Sequence, residues 1–334
     1  MRDVITLPKP HLHVHLESAV RLSTLAEIGA DNGVDLPAHL SDGGYAFTDF
    51  ADFFQQNDLV RRCLRRPEDF RRIAAEFCAD QAADGVRYVE VSFTAAAHGE
   101  RLGDLEMPLA AVLAGLAEGQ AAHDITCRVI LDHSRRRSVE RAWRTLDLAV
   151  RYADRGVVAV GLAGDEAYPV DPFVEVFAAA RDRGLRIVHH AGEAAGADSI
   201  RRAVAAGGAE RIGHGIRAVD DPDLMAWLRD QRIPLEVCPS SNVALGFAAS
   251  RGTHPLPRLV EAGLLVTLNT DIPAMIGTTL SAEYTHLRTG LGWSDEALAE
   301  LARAGTEASF APTVDKRRLR AGIDDWLTGR SAGQ

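Results

Sequence analysis

Leu185-Arg186-Ile187-Val188-His189-His190-Ala191-Gly192-Glu193, then the Ala- and Arg-rich stretch 198–206, then Glu210-Arg211-Ile212-Gly213-His214, set the architecture of this chain. A short apolar run, a stretch with helical spacing and a second short apolar run read as strand, helix and strand, the repeating unit of a parallel sheet. The same alternation continues to both sides. Candidate strands fall at 10–16, 86–93, 126–132, 157–162, 185–190, 210–214, 233–238 and 264–270. Periodic helical stretches such as 171–183, 198–206, 221–231 and 255–262 separate them. Eight strands with intervening helices predict an α/β fold, a closed (β/α)8 TIM barrel.

The interval 17–85 is too long for one crossover helix. Its pattern over Ser23 to Gly33, Thr48 to Arg65 and Pro67 to Gly85 predicts a helical insertion after the first strand. Ser294-Asp295-Glu296, an N-cap followed by acids, opens extra C-terminal helices. No internal repeat or Pro/Ser-rich linker divides the sequence, so one domain over residues 1–334 is expected.

With 334 residues, 46% of them apolar and 25% charged, the chain has the make-up of a soluble globular protein. A net charge of -10 and short basic runs interleaved with acids argue against a nucleic-acid partner. Cys63, Cys78, Cys127 and Cys238 have neither thiolate-zinc nor disulfide-framework spacing. The first eight residues lack a signal-peptide pattern, and no run approaches the roughly 18 apolar residues of a bilayer span. A cytoplasmic protein without a membrane partner is expected; composition leaves the oligomeric state open.

The chemistry is concentrated at the strand ends. In Lys9-Pro10-His11-Leu12-His13-Val14-His15-Leu16-Glu17, strand alternation puts His13 and His15 on one face and Leu12, Val14 and Leu16 on the other. His190, His214 and Asp271 end later strands, and barrel enzymes carry their active sites at that rim. His189 and His190 face opposite ways, and His190 is the interior one because Gly192 lets the chain turn Glu193 back toward the same centre. Gly213 and Gly215, either side of His214, are expected to permit close approach by a ligand. Asp271, before Ile272-Pro273, either caps a turn or completes a site of imidazoles and one carboxylate. Such donors suit one zinc ion per chain with an open position for water, whose pKa falls toward about 7. His214 is then placed to take the water's proton, and Glu193, kept protonated by a dry site, to give one to the substrate.

The runs PKPHLHVHLE, GLAGDE, HHAGE, RIGHG, EVCPSSN and LNTDIPAM, in that order and spread over nearly the whole chain, resemble the adenosine deaminase family of metal-dependent amidohydrolases. The resemblance implies a zinc-bearing barrel that replaces the exocyclic amine of a purine with oxygen and releases ammonia. It makes His13, His15, His190 and Asp271 the zinc ligands, Glu193 the donor to a ring nitrogen and His214 the partner of the attacking water. Gly164 then offers its N–H to the purine. The H-x-E and P-C-x-x-C signature of polynucleotide deaminases is absent.

Two positions depart from the family pattern. Glu17 stands where the family usually has an Asp that meets the ribose, and Ile272 replaces a second Asp beside the five-membered ring of the purine. Loss of that polar contact predicts a changed preference, toward adenine, aminodeoxyfutalosine or another modified aminopurine. A deaminase-like binding protein without turnover is the reading from another class, and loss of a ligand or of Glu193 is its mark. Neither is lost.

Overall fold

The computed structural model describes residues 1–38, 40, 45–47 and 50–329. Its centre is one parallel sheet of eight strands paired in chain order. The strands are β1 (Lys9–His11), β2 (Val86–Phe93), β3 (Thr126–Ser134), β4 (Val157–Ala163), β5 (Arg186–Ala191), β6 (Arg211–His214), β7 (Leu235–Val237) and β8 (Val266–Leu268). All eight predicted strands are present. The helices between them form the outer layer, and the main apolar cluster joins strand and helix side chains.

The first strand is shorter than the predicted 10–16, and the reason lies in how the barrel nears closure. The N–H groups of Leu12 and His13 donate to the side-chain Oδ1 of Asn269 at 2.8 and 3.0 Å instead of to a neighbouring strand. Asn269 is itself held by donating from Nδ2 to Thr267 Oγ1 at 2.8 Å. Beyond it, Asp271 N donates to His13 O at 3.0 Å and His15 N donates to Asp271 O at 2.9 Å. Isolated bridges join Val14 to Asp271 and His15 to Ser92. His13 and His15 therefore flank the bridging residue Val14 at the rim, beyond the end of the regular strand.

The predicted insertion holds helices Leu22–Asp31, Phe50–Cys63 and Pro67–Ala83. Thr48, the expected start of its second segment, lies outside the described residues. Helix Asp295–Ala308, capped by Ser294 accepting from Ala297 N, packs against β8 and β1. Among the described residues no helix is long and apolar enough to cross a membrane.

Candidate active site

The barrel interior carries a buried line of charge that ends at the rim. Arg211, 1% exposed, lies between Glu90 at 2.6 Å and Glu236 at 2.5 Å. The second oxygen of Glu236 lies 2.9 Å from His13 Nδ1. That contact turns His13 Nε2 toward Asp271 Oδ1 at 3.5 Å, and this Nε2 is buried without a hydrogen-bond partner. Burial opposes charge on His13, yet Asp271 and Glu236 raise it to about 10, so the surroundings favour positive charge there.

Around that nitrogen the other predicted groups gather. His15 Nε2 is 3.3 Å from Asp271 Oδ1 and 3.2 Å from His190 Nε2. One donor atom each from His13, His190, His214 and Asp271 falls within 4.8 Å of all the others, a buried three-histidine, one-aspartate group able to hold a metal ion. The orphaned Nε2 and the oxygen and imidazole donors fit a divalent cation. His15 adjoins this group through Asp271 and His190, so all five predicted side chains converge. His189 does not: its ring bonds Gly207 O at 3.2 Å and packs on Phe177 among the helices.

Each donor is oriented from behind. His190 Nδ1 lies 3.1 Å from Leu162 O, His15 Nδ1 lies 3.5 Å from Asp132 Oδ2, and Ser241 Oγ donates to Asp271 Oδ2 at 2.6 Å. His214 and Asp271 both have φ of +64°, an uncommon left-handed conformation outside glycine that concentrates at functional sites. The glycines beside His214 serve packing rather than ligand approach. A Cβ on Gly213 would lie 2.7 Å from His13 Cε1, and one on Gly215 would lie 2.7 Å from Leu235 Cδ2.

Glu193 follows β5 on a turn fixed by Glu166. The Glu166 carboxylate accepts from the N–H groups of Gly192, Glu193 and Ala194 and from Ser199 Oγ, at 2.5 to 2.9 Å. Burial first, then Asp271 and Glu166, push the Glu193 carboxyl well above its ordinary range. A chain of donors sets the rest. Leu256 N donates to His254 Nδ1 at 3.1 Å, which leaves the proton of neutral His254 on Nε2, 3.2 Å from Asn242 Oδ1. Asn242 Nδ2 is thereby aimed at Glu193 Oε1, 2.8 Å away, and at His214 Nδ1, 3.1 Å away. An accepting Nδ1 places the proton of neutral His214 on Nε2. Burial, then the charge of His13, lowers His214 to about 3 and keeps it neutral. In this tautomer Nε2 presents its proton to the cleft that His214 lines.

These groups floor a cleft with about 1130 Å³ of empty space, its open mouth included. His15, Glu17, Gly164 and Glu193 all line it. Gly164 has φ of +93°. Glu17 is more constrained than expected, because its Oε1 accepts from Thr94 N, Thr94 Oγ1 and His98 Nε2 at 2.5 to 3.2 Å. Burial opposes its charge, but His98 and Thr94 hold the carboxyl down at about 2. Ile272 does not reach the cleft. It is 1% exposed in an apolar cluster with Phe53, Leu245 and Met275, behind the wall that Phe53 and Leu245 present. The expected direct contact between Ile272 and a substrate is corrected accordingly.

The adenosine deaminase family model matches residues 8–326. The chain belongs to the adenosine deaminase family. Among its relatives, an adenine deaminase of Streptomyces coelicolor is 37% identical over 321 residues, covering 95% of this chain and 94% of that one. An adenosine deaminase of Mycobacterium sp. strain JLS is 38% identical over 361 residues, covering 99% and 97%. The crystal structure of an adenine deaminase from Arthrobacter aurescens superposes with a TM-score of 0.91 at 30% identity, covering 96% and 99%. The family membership and the metal-binding group make this chain an adenosine deaminase-family aminohydrolase. Glu236, Asn242, Glu166 and Asp132 join the site without a metal-ligand or acid/base pattern of their own in the sequence. What marks them in the sequence is a polar residue within or just after an apolar strand, or within a run that resembles the family.

Proposed function

We propose that this chain is a zinc-dependent hydrolytic deaminase of a 6-aminopurine compound, replacing the exocyclic amine with oxygen and releasing ammonia. The observation that carries the reading is Glu193, buried and 3.3 Å from His214 Nδ1, beside the three-histidine, one-aspartate group. Of the five converging side chains, His13, His15, His190 and Asp271 would hold the zinc, and His214, although one of its ring nitrogens falls within the group, would face the water. When bound there, zinc supplies the Lewis acidity that makes water a nucleophile at neutral pH.

The chain's own groups manage the protons and the orientation. Asn242 occupies Glu193 Oε1, so the carboxyl proton resides on Oε2, available to a ring nitrogen as the amine-bearing carbon becomes tetrahedral. His214 presents Nε2–H and steers the attacking oxygen; the proton that water gives up would leave to the solvent of the open cleft, and the Glu193 carboxylate, having protonated the ring nitrogen, would carry the remaining hydroxyl proton to the departing amine so that ammonia leaves. Gly164 offers its N–H to the ring, and Glu17 closes the cleft beside Thr94 and His98. The relatives' printed names, adenine deaminase and adenosine deaminase, share the 6-aminopurine and differ in what is attached to it.

Ammonia release from zinc-loaded protein across aminopurines, aminopyrimidines and aminopterins tests the reading. Release from 6-aminopurine compounds supports it. Release confined to the other rings overturns it.

A further inference from the structure

The wall of the cleft carries a charge imbalance beside its aromatic side chains. Three charged residues there, Asp58, Arg61 and Arg136, line the wall. Two are neutralised: Asp58 lies 3.4 Å from Arg62, and Arg136 lies 2.9 Å from Asp165. Arg61 makes no ion pair among the described residues, and its Nε is buried without a hydrogen-bond partner. The next guanidinium, Arg101, donates to the Leu64 carbonyl rather than to a carboxylate. Its burial, and then the charge of Arg61, hold Arg101 below its ordinary range.

A protein of net charge -10 has carboxylates in excess, yet among the described residues neither Arg61 nor Arg101 forms an ion pair, and Asp58, whose charge reaches Arg101, pairs with Arg62. A desolvated guanidinium nitrogen with nothing to bind is costly, and a planar fork of donors is best matched by a carboxylate or phosphate. The wall beside it is aromatic. Phe50, Phe53 and Phe54 stack edge-to-face or offset, and Arg136 lies 5.7 Å from the Phe54 ring centre.

We infer that Arg61 is an anion receptor, and that the preferred substrate is a 6-aminopurine whose ring substituent ends in a carboxylate or phosphate reaching the Asn57 to Arg61 face of the cleft. This rests on the aminopurine reading above and narrows it. A bare base or a neutral nucleoside brings no charge to Arg61.

The test is binding of hydroxypurine products to zinc-loaded full-length protein, which needs no turnover. Dissociation constants are measured for inosine, inosine 5′-monophosphate and inosine 5′-carboxylate, with wild type, Arg61→Gln and Arg61→Lys. One anionic compound is expected to bind roughly tenfold or more tightly than inosine, in keeping with a charge-assisted hydrogen bond. That advantage should disappear in Arg61→Gln and return in part in Arg61→Lys. Which of the two anions gains it separates phosphate from carboxylate. Inosine binding as tightly as both anions, or an advantage that survives Arg61→Gln, overturns the receptor. Ammonia release from the corresponding amines is scored separately, so failure of the deaminase reading and failure of the anion receptor are distinguishable.

Discussion

His13 Nδ1 and Glu236 Oε2 lie 2.9 Å apart, both side chains buried, and this contact turns the other ring nitrogen of His13 toward Asp271. Glu236 in turn is held by Arg211, so the orientation of a candidate metal ligand traces back through the barrel interior. Outer partners of metal-ligating histidines typically contribute 10- to 100-fold in affinity. Glu236→Gln is therefore expected to weaken zinc retention by roughly 10-fold or more. Competition with a chromophoric chelator measures it. Unchanged affinity would remove Glu236 from the metal site.

Glu193→Gln keeps the shape that accepts the Asn242 hydrogen bond and abolishes the acid. Turnover is expected to fall by roughly 100-fold or more, the usual scale of a general acid, with the zinc content unchanged. Ammonia release together with metal analysis decides it. Near-normal turnover would assign the proton donor elsewhere.

Ile272 is buried behind Phe53 and Leu245, so Ile272→Asp should act on stability before specificity. A carboxylate in that aromatic cluster is expected to cost about 3 kcal/mol or more. Ile272→Val, the loss of one methylene, should cost only about 1 kcal/mol. Urea unfolding compares the two. An Asp variant as stable as wild type would mean that the side chain reaches the water of the cleft, restoring a direct role at the substrate.

The parts of this site that the sequence made legible are those that break a local rule. His13, His15, His190 and His214 stand at the ends of apolar runs where packing has no use for imidazole, and the period of the runs located all eight strands. His190 was separable from His189 because alternate residues of a strand face opposite sides. Orientation within the site was not legible in the same way. Glu236 lies on β7, and its partner His13 is 223 positions away. Asn242 became meaningful only when its Oδ1 met His254, which fixed the tautomer of His214. Its place in a family run puts the residue after Asp271, Ile272, in the cleft. The backbone at Asp271, with its positive φ, leads instead into the apolar cluster.

His254 gives a dependence on pH whose sign is fixed by its burial. Desolvation lowers its pKa to about 4, against about 6.5 in an unfolded chain. The folded state accepts the neutral ring only, so this contribution is complete above pH 6.5 and is lost as pH falls toward 4. Between pH 7 and pH 5 it amounts to about 2 kcal/mol, at about 1.4 kcal/mol per unit of displacement. The loss of stability over that interval, read from urea midpoints, should be smaller by about that amount in His254→Gln. Identical pH profiles would contradict a neutral, buried His254.

Hydrolytic deamination makes one demand that no binding role shares: the oxygen that replaces the amine comes from water. Zinc-loaded protein given a 6-aminopurine substrate in ¹⁸O-water, with product mass and ammonia followed together, measures this directly. One ¹⁸O in each hydroxypurine formed, one ammonia released with it, and loss of both in Glu193→Gln are predicted. Product without ¹⁸O, or no ammonia from any 6-aminopurine compound by protein carrying its metal, would contradict it.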